Sequence, residues 1–222
     1  MIADERLVTY INSLDTGNIA FLNQLEQEAL DTFVPIIRKE TQQFLKWILA
    51  ATQPKHILEV GTAVGFSTLL MAEYNPIECR IVTIENYEKR IPIAKANFKA
   101  AGREQMITLL EGDAAEILPT LDETFDFIFM NAAKAQYIHF LPELVRLLDT
   151  DGTLVSDNVL QDGDIIESRF AVTRRNRTIH KRMREYLYAV THHEELVSTV
   201  LPIGDGLTVS TKKRTDRKST RL

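Results

Sequence analysis

The sequence predicts an α/β protein: a doubly wound, mostly parallel seven-stranded sheet covered by helices on both faces, with a C-terminal antiparallel hairpin and extra N-terminal helices. Three observations predict it. From residue 56 onward short apolar runs alternate with amphipathic segments, the order that builds parallel βαβ units. The runs are apolar at consecutive positions, which suits strands buried on both faces. The 222 residues, 45% hydrophobic and 26% charged, supply one substantial core. Residues 1–214 are therefore expected to form a single domain, with helices over 1–50, the sheet core over 55–160 and a basic helical segment over 161–190.

Apolar residues at helical spacing in DERLVTYINSL, NIAFLNQLEQEALDTF and IIRKETQQFLKWILAAT, where Phe44, Trp47 and Ile48 recur, predict three helices before the sheet. HILEV (56–60), RIVTIE (80–85), MITLLEGD (106–113), FDFIFM (125–130) and GTLVSDNV (152–159) predict strands. Segments 65–74, 87–101, 114–121 and 136–148 predict the helices that follow four of them. LVSTVLPIGDGLTVSTK, two β-rich runs around Gly204-Asp205-Gly206, predicts the hairpin. The last residues, TDRKSTRL at 215–222, read as a disordered tail.

Composition narrows the setting. With Cys79 as its single cysteine the chain builds neither a disulfide framework nor a thiolate metal cluster, which suits a reducing compartment. MIADERLVTYINSLD carries acids where a signal peptide has basic and then apolar residues, and no apolar run approaches the roughly 20 residues of a membrane span. A cytoplasmic protein with no membrane partner is expected. The net charge of −5 hides an asymmetry, because 7 of the 26 Lys and Arg fall between 169 and 184 and 6 more between 212 and 221. A basic C-terminal third on an acidic body suits a polyanionic partner, and equally a solvated helix face.

In a doubly wound sheet the ligand sits at the carboxyl ends of the strands. Those ends are Glu59 to Gly61, Glu85, Gly112 to Asp113, Asn131, and Asp157 to Asn158. Gly61 and Gly65 in ILEVGTAVGFS have GxxxG spacing, unlike the GxGxxG of dinucleotide sites; they suit either a tight connection or the close approach of a ligand to backbone. Glu85 ends the second strand, positioned to accept hydrogen bonds from a ribose diol, and Gly112-Asp113-Ala114 ends the third, where an adenine fits. A ribose and an adenine without phosphate contacts point to S-adenosylmethionine.

ILEVGTAVGFS, VTIE, EGDAAEIL, FIFMNAAKAQY, SDNVL and PIGDGL, in this order and spacing, resemble the metal-dependent class I O-methyltransferases of the catechol and caffeoyl-CoA type, with a Rossmann-like fold, and most of all the bacterial tRNA 5-hydroxyuridine methyltransferases. The resemblance runs from about Val34 to Lys212. It implies that residues 55–160 bind the cofactor. Glu59 and Gly61 would lie near its methionine end, Ser67 on its carboxylate, Glu85 on the ribose, Asp113 and Ala114 at the adenine, and Ile36 against it through backbone. Gly65, Gly112 and Asn131 belong to the same cofactor set. Taken by themselves, Glu59 is also a strand-end acid and Ser67 also a first-turn helix residue.

Asn131, Asp157 and Asn158 end neighbouring strands, and with waters and two substrate oxygens would suit Mg²⁺ or a similar hard cation. Lys134 is then the candidate general base. Here the chain departs from the family, whose DAAK reads NAAK in this sequence. An amide oxygen still coordinates a hard cation, but the site would hold one formal negative charge in place of two, and weaker metal binding follows.

RFAVTRRNRTIHKRMREYLYAV, 169–190, has 7 Lys and Arg in its first 16 positions and no acid there. On a helical wheel Val172, Ile179, Met183, Tyr186 and Val190 share one face, with Arg174, Arg177, Lys181 and Arg184 opposite. Such a row, extended by Arg175, suits a phosphate backbone, and a similar Arg-rich segment occupies this place in the tRNA methyltransferases the chain resembles. The expected substrate is the wobble 5-hydroxyuridine of tRNA. Two alternatives stand beside it: methylation of catechol-like small molecules with vicinal hydroxyls, and an inactive cofactor- and RNA-binding variant created by Asn131. The N-terminal helices are candidate dimer or substrate-lid elements, and a homodimer is the expected assembly.

Overall fold

The computed structural model of the protein describes residues 4–168 and 170–214; the expected tail, 215–222, and Arg169 of the basic segment lie outside them. α1 (Glu5–Ser13) begins where the Asp4 carboxylate accepts hydrogen bonds from the Arg6 and Leu7 amides at 3.0 and 3.2 Å. α2 (Ala20–Asp31) and α3 (Lys39–Thr52) follow. α3 starts three residues later than its apolar pattern suggests, because the chain stays extended up to Arg38 (ψ 159°). It ends at Gln53 in the left-handed region (φ 48°), ahead of Pro54, which cannot continue a helix.

The sheet then builds as expected: β1 (His56–Val60), α4 (Phe66–Tyr74), β2 (Arg80–Glu85), α5 (Ile91–Ala100), β3 (Ile107–Glu111), α6 (Ala114–Ile117), β4 (Phe125–Met130), α7 (Tyr137–Leu147) and β5 (Leu148–Ser156). α8 (Arg177–Thr191), β6 (Leu196–Leu201) and β7 (Leu207–Lys212) complete the described chain. The strand order is β3-β2-β1-β4-β5-β7-β6, parallel through β5 and antiparallel where β7 pairs with β5 and β6.

β4 explains why two faces are needed. In FDFIFM, Phe125, Ile128 and Met130 pack on one side of the sheet with Leu144 and Met183, while Phe127 and Phe129 pack on the other with Leu45 and Phe66. Its one acid, Asp126, accepts from the Lys55 and His56 amides at 2.8 and 2.9 Å, and so ties the start of β1 to β4.

Three more elements depart from expectation. β5 covers Leu148–Ser156 in place of 152–159. α5 starts at Ile91 instead of 87, with Pro92 in its first turn. The basic helix starts at Arg177, so Arg174 and Arg175 lie in the turns before it. Three arginines in the first turns of a longer helix would oppose its dipole. No helix among the described residues is long and apolar enough to cross a membrane.

Because β1 is flanked by β2 on one side and β4 on the other, the order of strands reverses there, and a crevice opens beyond the carboxyl ends of β1 and β4.

Candidate active site

That crevice is a cavity of about 660 Å³. Of the residues singled out in the sequence, Ile36, Gly61, Ser67, Glu85, Gly112, Asp113, Ala114, Asn131, Lys134 and Asn158 line it. Glu59, Gly65 and Asp157 do not.

Gly61 sits at φ +102°, and a Cβ there would stand 2.2 Å from the carbonyl oxygen of Asn131. Only glycine lets the ends of β1 and β4 approach so closely. Gly65 answers a second need: a Cβ would stand 2.5 Å from the Phe98 ring, so this glycine serves the packing of α4 on α5. Glu59 stands one layer behind the cavity surface. It is fully buried behind the cavity wall and accepts hydrogen bonds from Ser67 Oγ at 2.5 Å, Thr83 Oγ1 at 2.6 Å and Thr68. Burial pushes its carboxyl above the usual range, against those three hydroxyls. Its work is to fix the wall, and Ser67 faces the cavity with its hydroxyl already directed at Glu59.

Glu85 lies on the wall. Its Oε2 accepts from the Ala63 amide at 2.7 Å and its Oε1 from the Asn86 and Tyr87 amides at 3.1 and 2.8 Å. Three backbone donors pin the carboxylate, and each oxygen keeps acceptor capacity for a diol. Asp113 caps α6 through the Ala115 amide at 2.9 Å and borders the same wall. Tyr87, Arg90 and Phe140 also line the cavity; no local pattern marked them in the sequence.

At the other end Asn131, Asp157 and Asn158 meet. Asn158 Nδ2 donates to Asn131 Oδ1 at 3.0 Å and lies 3.3 Å from Asp157 Oδ2. Asp157 also accepts from the Asn158 amide at 2.8 Å, and burial pushes its carboxyl up to about 6. The Tyr137 hydroxyl donates to the Asp157 carbonyl at 3.0 Å, fixing the end of β5. Among the described residues no group of three or more His, Cys, Asp and Glu side chains forms a metal-ligand set. A cation here would depend on amides: Asn131 Oδ1 and Asp157 Oδ2 converge on the Asn158 amide group, which presents Nδ2 to them and would have to turn its Oδ1 inward, and the set then fits a hard divalent ion in kind, with a single formal charge to hold it.

Lys134 lies on the loop after β4, and its ammonium pairs with Asp205 at 2.9 Å. Asp205 is 2% exposed, and its other oxygen accepts from the Asp162 amide. Asp162 in turn pairs with Arg38 at 2.6 Å. A chain of polar contacts thus joins the 36–38 wall, the turn after β5, the hairpin and Lys134. Sequence reasoning passed over Asp205, although an acid between two glycines in PIGDGL was the available signal. A second, apolar groove of about 940 Å³ shares Ile36, Ile37 and Arg38 with the cavity and runs along α1 and α3.

The cationic segment borders this end. Arg182 donates to the Ala135 carbonyl at 3.2 Å, one residue from Lys134, and Arg184 to the Ile165 carbonyl at 3.2 Å. Arg174 and Arg175 are exposed, Arg177 leans over the Phe170 ring with 6.0 Å to the centroid, and Lys181 lies 3.6 Å from Glu185. The row is therefore less uniform than a helical wheel suggests.

Comparison with known proteins agrees with this geometry. Residues 12–213 match the O-methyltransferase family. A catechol O-methyltransferase of Niastella koreensis is 33% identical over 168 residues, 71% of this chain and 74% of that one. Caffeoyl-CoA O-methyltransferase 2 of Populus trichocarpa is 30% identical over 178 residues, 75% and 70% of the two chains. Among solved structures, the S-adenosylhomocysteine-bound methyltransferase PaMTH1 of Podospora anserina superposes with a TM-score of 0.84, 25% identity and 95% coverage of each chain. The crevice at the switch point, the close approach of β1 and β4 at Gly61 and the pinned Glu85 thus belong to a member of the O-methyltransferase family, and the chain is an S-adenosylmethionine-dependent O-methyltransferase.

Proposed function

We propose that the protein methylates a hydroxyl that has an oxygen beside it on an RNA base, the wobble 5-hydroxyuridine of tRNA, with the help of a divalent cation such as Mg²⁺. One observation carries the substrate class: the cationic run from Arg174 to Arg184 is tethered by Arg182 and Arg184 to the loops that bear Lys134 and the turn after β5. A polyanion held there presents its unpaired base at the mouth of the cavity.

The cofactor's ribose would be held by Glu85, its adenine beside Asp113 and Ala114, and its methionine end beside Gly61 and Ser67, with Ile36 closing the wall. Asn131, Asp157 and Asn158 would hold the cation. When bound, a divalent ion lowers the pKa of the substrate hydroxyl and orients the two oxygens. Lys134 in its neutral amine form would accept the hydroxyl proton, and Asp205 would hold the ammonium that results, the pair seen in the structure. The rigid cavity wall aligns acceptor and methyl group, which is most of what methyl transfer requires.

A second reading, a small catechol-like acceptor, is supported by the two named relatives and by the apolar groove beside the cavity. Labelled S-adenosylmethionine offered with tRNA lacking the final methyl group, and in parallel with catechol, separates the two. Transfer to tRNA alone is expected. Transfer to catechol alone overturns the RNA reading, and RNA binding without any transfer assigns the chain to the inactive class that Asn131 raises. For the cation, Mn²⁺ titrated into the cofactor-bound protein should bind, and bind more tightly to the Asn131→Asp variant; negligible binding by both removes the metal. Assembly as a homodimer is supported by the apolar residues that α1 and α3 expose, Leu7, Tyr10 and Trp47 among them, and light scattering measures it.

A further inference from the structure

The turns between β5 and α8 carry more than charge. Phe170 is 83% exposed and Ile166 82% exposed. Of the other exposed aromatics, Trp47 leans on Phe44 and Tyr188 stacks on His192 at 4.0 Å between centroids, while Tyr10 and Phe33 lie in the N-terminal region, outside the cationic segment. Among the described residues Phe170 has only the Arg177 guanidinium against its ring, 6.0 Å from the centroid, and Arg177 Nε in turn donates to the Val172 carbonyl at 3.4 Å. Phosphate contacts account for the arginines of this segment but not for an uncovered ring among them.

An aromatic face paired with a guanidinium, set in a cationic surface, is what an unstacked nucleobase needs: the ring stacks, the guanidinium adds a cation–π and phosphate contact, and no particular base is required. A lipid surface would use the same residue types. It would need a continuous apolar face, however, and the apolar face of α8, with Met183, Tyr186 and Val190, is buried in the core. Two apolar residues on separate turns remain.

The location suits RNA as well. The segment continues the turn that leaves Asn158, and Arg184 holds it at Ile165 while Arg182 holds α8 beside Lys134. We propose that Phe170, backed by Arg177, is a stacking platform for a nucleobase neighbouring the acceptor in an unpaired stretch of RNA. This inference rests on the RNA reading of the substrate given above.

The test uses the full chain with three probes: an RNA hairpin with an unpaired loop, a fully paired duplex of the same length, and phosphatidylglycerol vesicles. Phe170→Ala should weaken hairpin binding about tenfold, the order that base–aromatic stacking carries, and leave the slope of log affinity against log salt unchanged. Arg174→Ala should reduce that slope by about one. Phe170→Trp, in a Trp47→Phe background so that it is the sole tryptophan, should keep the affinity, and its fluorescence should be quenched by the hairpin and not by the duplex. Equal hairpin affinity for the wild type and Phe170→Ala overturns the stack while leaving the RNA reading in place. A wild type that binds vesicles alone, or no probe, overturns the RNA reading and the stack together.

Discussion

The two halves of the cavity are built differently. At the ends of β1, β2 and β3 the wall is held by close backbone packing and by backbone amides. Gly61 fits under Asn131, and Glu85 takes the amides of Ala63, Asn86 and Tyr87. At the ends of β4 and β5 the parts come from far apart: Lys134 meets Asp205, and Arg38 meets Asp162. The first half is a fixed cradle. The second is a set of polar links between loops, with Asn158, Gln161 and Asp162 all at positive φ, against Ala63 alone among the side-chain-bearing residues of the cradle. Residues with side chains hold such backbone only when their surroundings impose it, and that cost collects where a protein handles substrate.

The largest test of this contrast is kinetic. Lys134→Met should reduce methyl transfer to the accepted substrate by about 10²–10⁴-fold, the range of a lost general base. Asp205→Asn should lower it too, yet add little in the Lys134→Met background, because Asp205 acts through Lys134. Additive losses in the double variant would mean that the buried acid serves the hairpin and not the lysine. S-adenosylhomocysteine binding, which the proposed function assigns to the other half, should stay unchanged in all three variants.

Gly61→Ala attacks the cradle. A Cβ 2.2 Å from a backbone oxygen, at φ +102°, cannot be relieved by a side-chain rotation. The expected cost is about 3 kcal/mol, or a fall in Tm of roughly 6–12 °C for a chain of this length, with loss of S-adenosylhomocysteine binding by calorimetry. Full binding with an unchanged Tm would show that β1 and β4 move apart freely, and the contrast between a rigid half and a linked half would fail.

Asp157 lies where the halves meet, and its response is to pH. Burial raises its carboxyl from 3.8 to about 6, so folding favours the protonated form. Its contribution is complete below about pH 4 and is lost as pH rises towards and through 6, by up to about 3 kcal/mol. In chelator-treated protein, Asp157→Asn should remove that decline from the Tm profile between pH 4 and 7. A cation held by the carboxylate should reverse it, since binding favours the ionised form. Parallel profiles for wild type and variant would place Asp157 in a wetter site than its 2% exposure implies.

How much of this was legible follows the same division. The strands of the core and the pinned Glu85 were visible because apolar runs and strand-end polar residues are local signals, and FDFIFM alone fixes two packed faces. Asn131 announced itself by departing from a motif. The Lys134–Asp205 pair spans 71 residues and the Arg38–Asp162 pair 124, and no periodicity joins such positions. The surroundings of Glu59 and Gly65 were not legible: one is buried among three hydroxyls and the other packs against the Phe98 ring, contacts that their motif does not display. The start of α8 was misplaced because the apolar stripe through Val172 continues in register even where the arginines do not form a helix.

The smallest effect belongs to the link between the halves. The Arg38–Asp162 pair is short at 2.6 Å but largely solvated, with side chains 40% and 61% exposed. Exposed pairs contribute about 0.2–1 kcal/mol, so Arg38→Ala should lower Tm by no more than about 4 °C. The hydrogen bond from Arg38 holds the Asp162 carboxyl below its ordinary range. The pair's stabilisation is therefore present above that ordinary range and disappears as pH falls through the lowered value, and molar salt should also diminish it. What the pair does for function separates from what it does for stability. Arg38 borders both the cavity and the apolar groove, so its loss should raise KM for the acceptor more than it lowers kcat, with Tm nearly constant. A variant that melts several degrees lower at unchanged KM would make the pair a structural strut, and the acceptor half would then be as rigid as the cradle it faces.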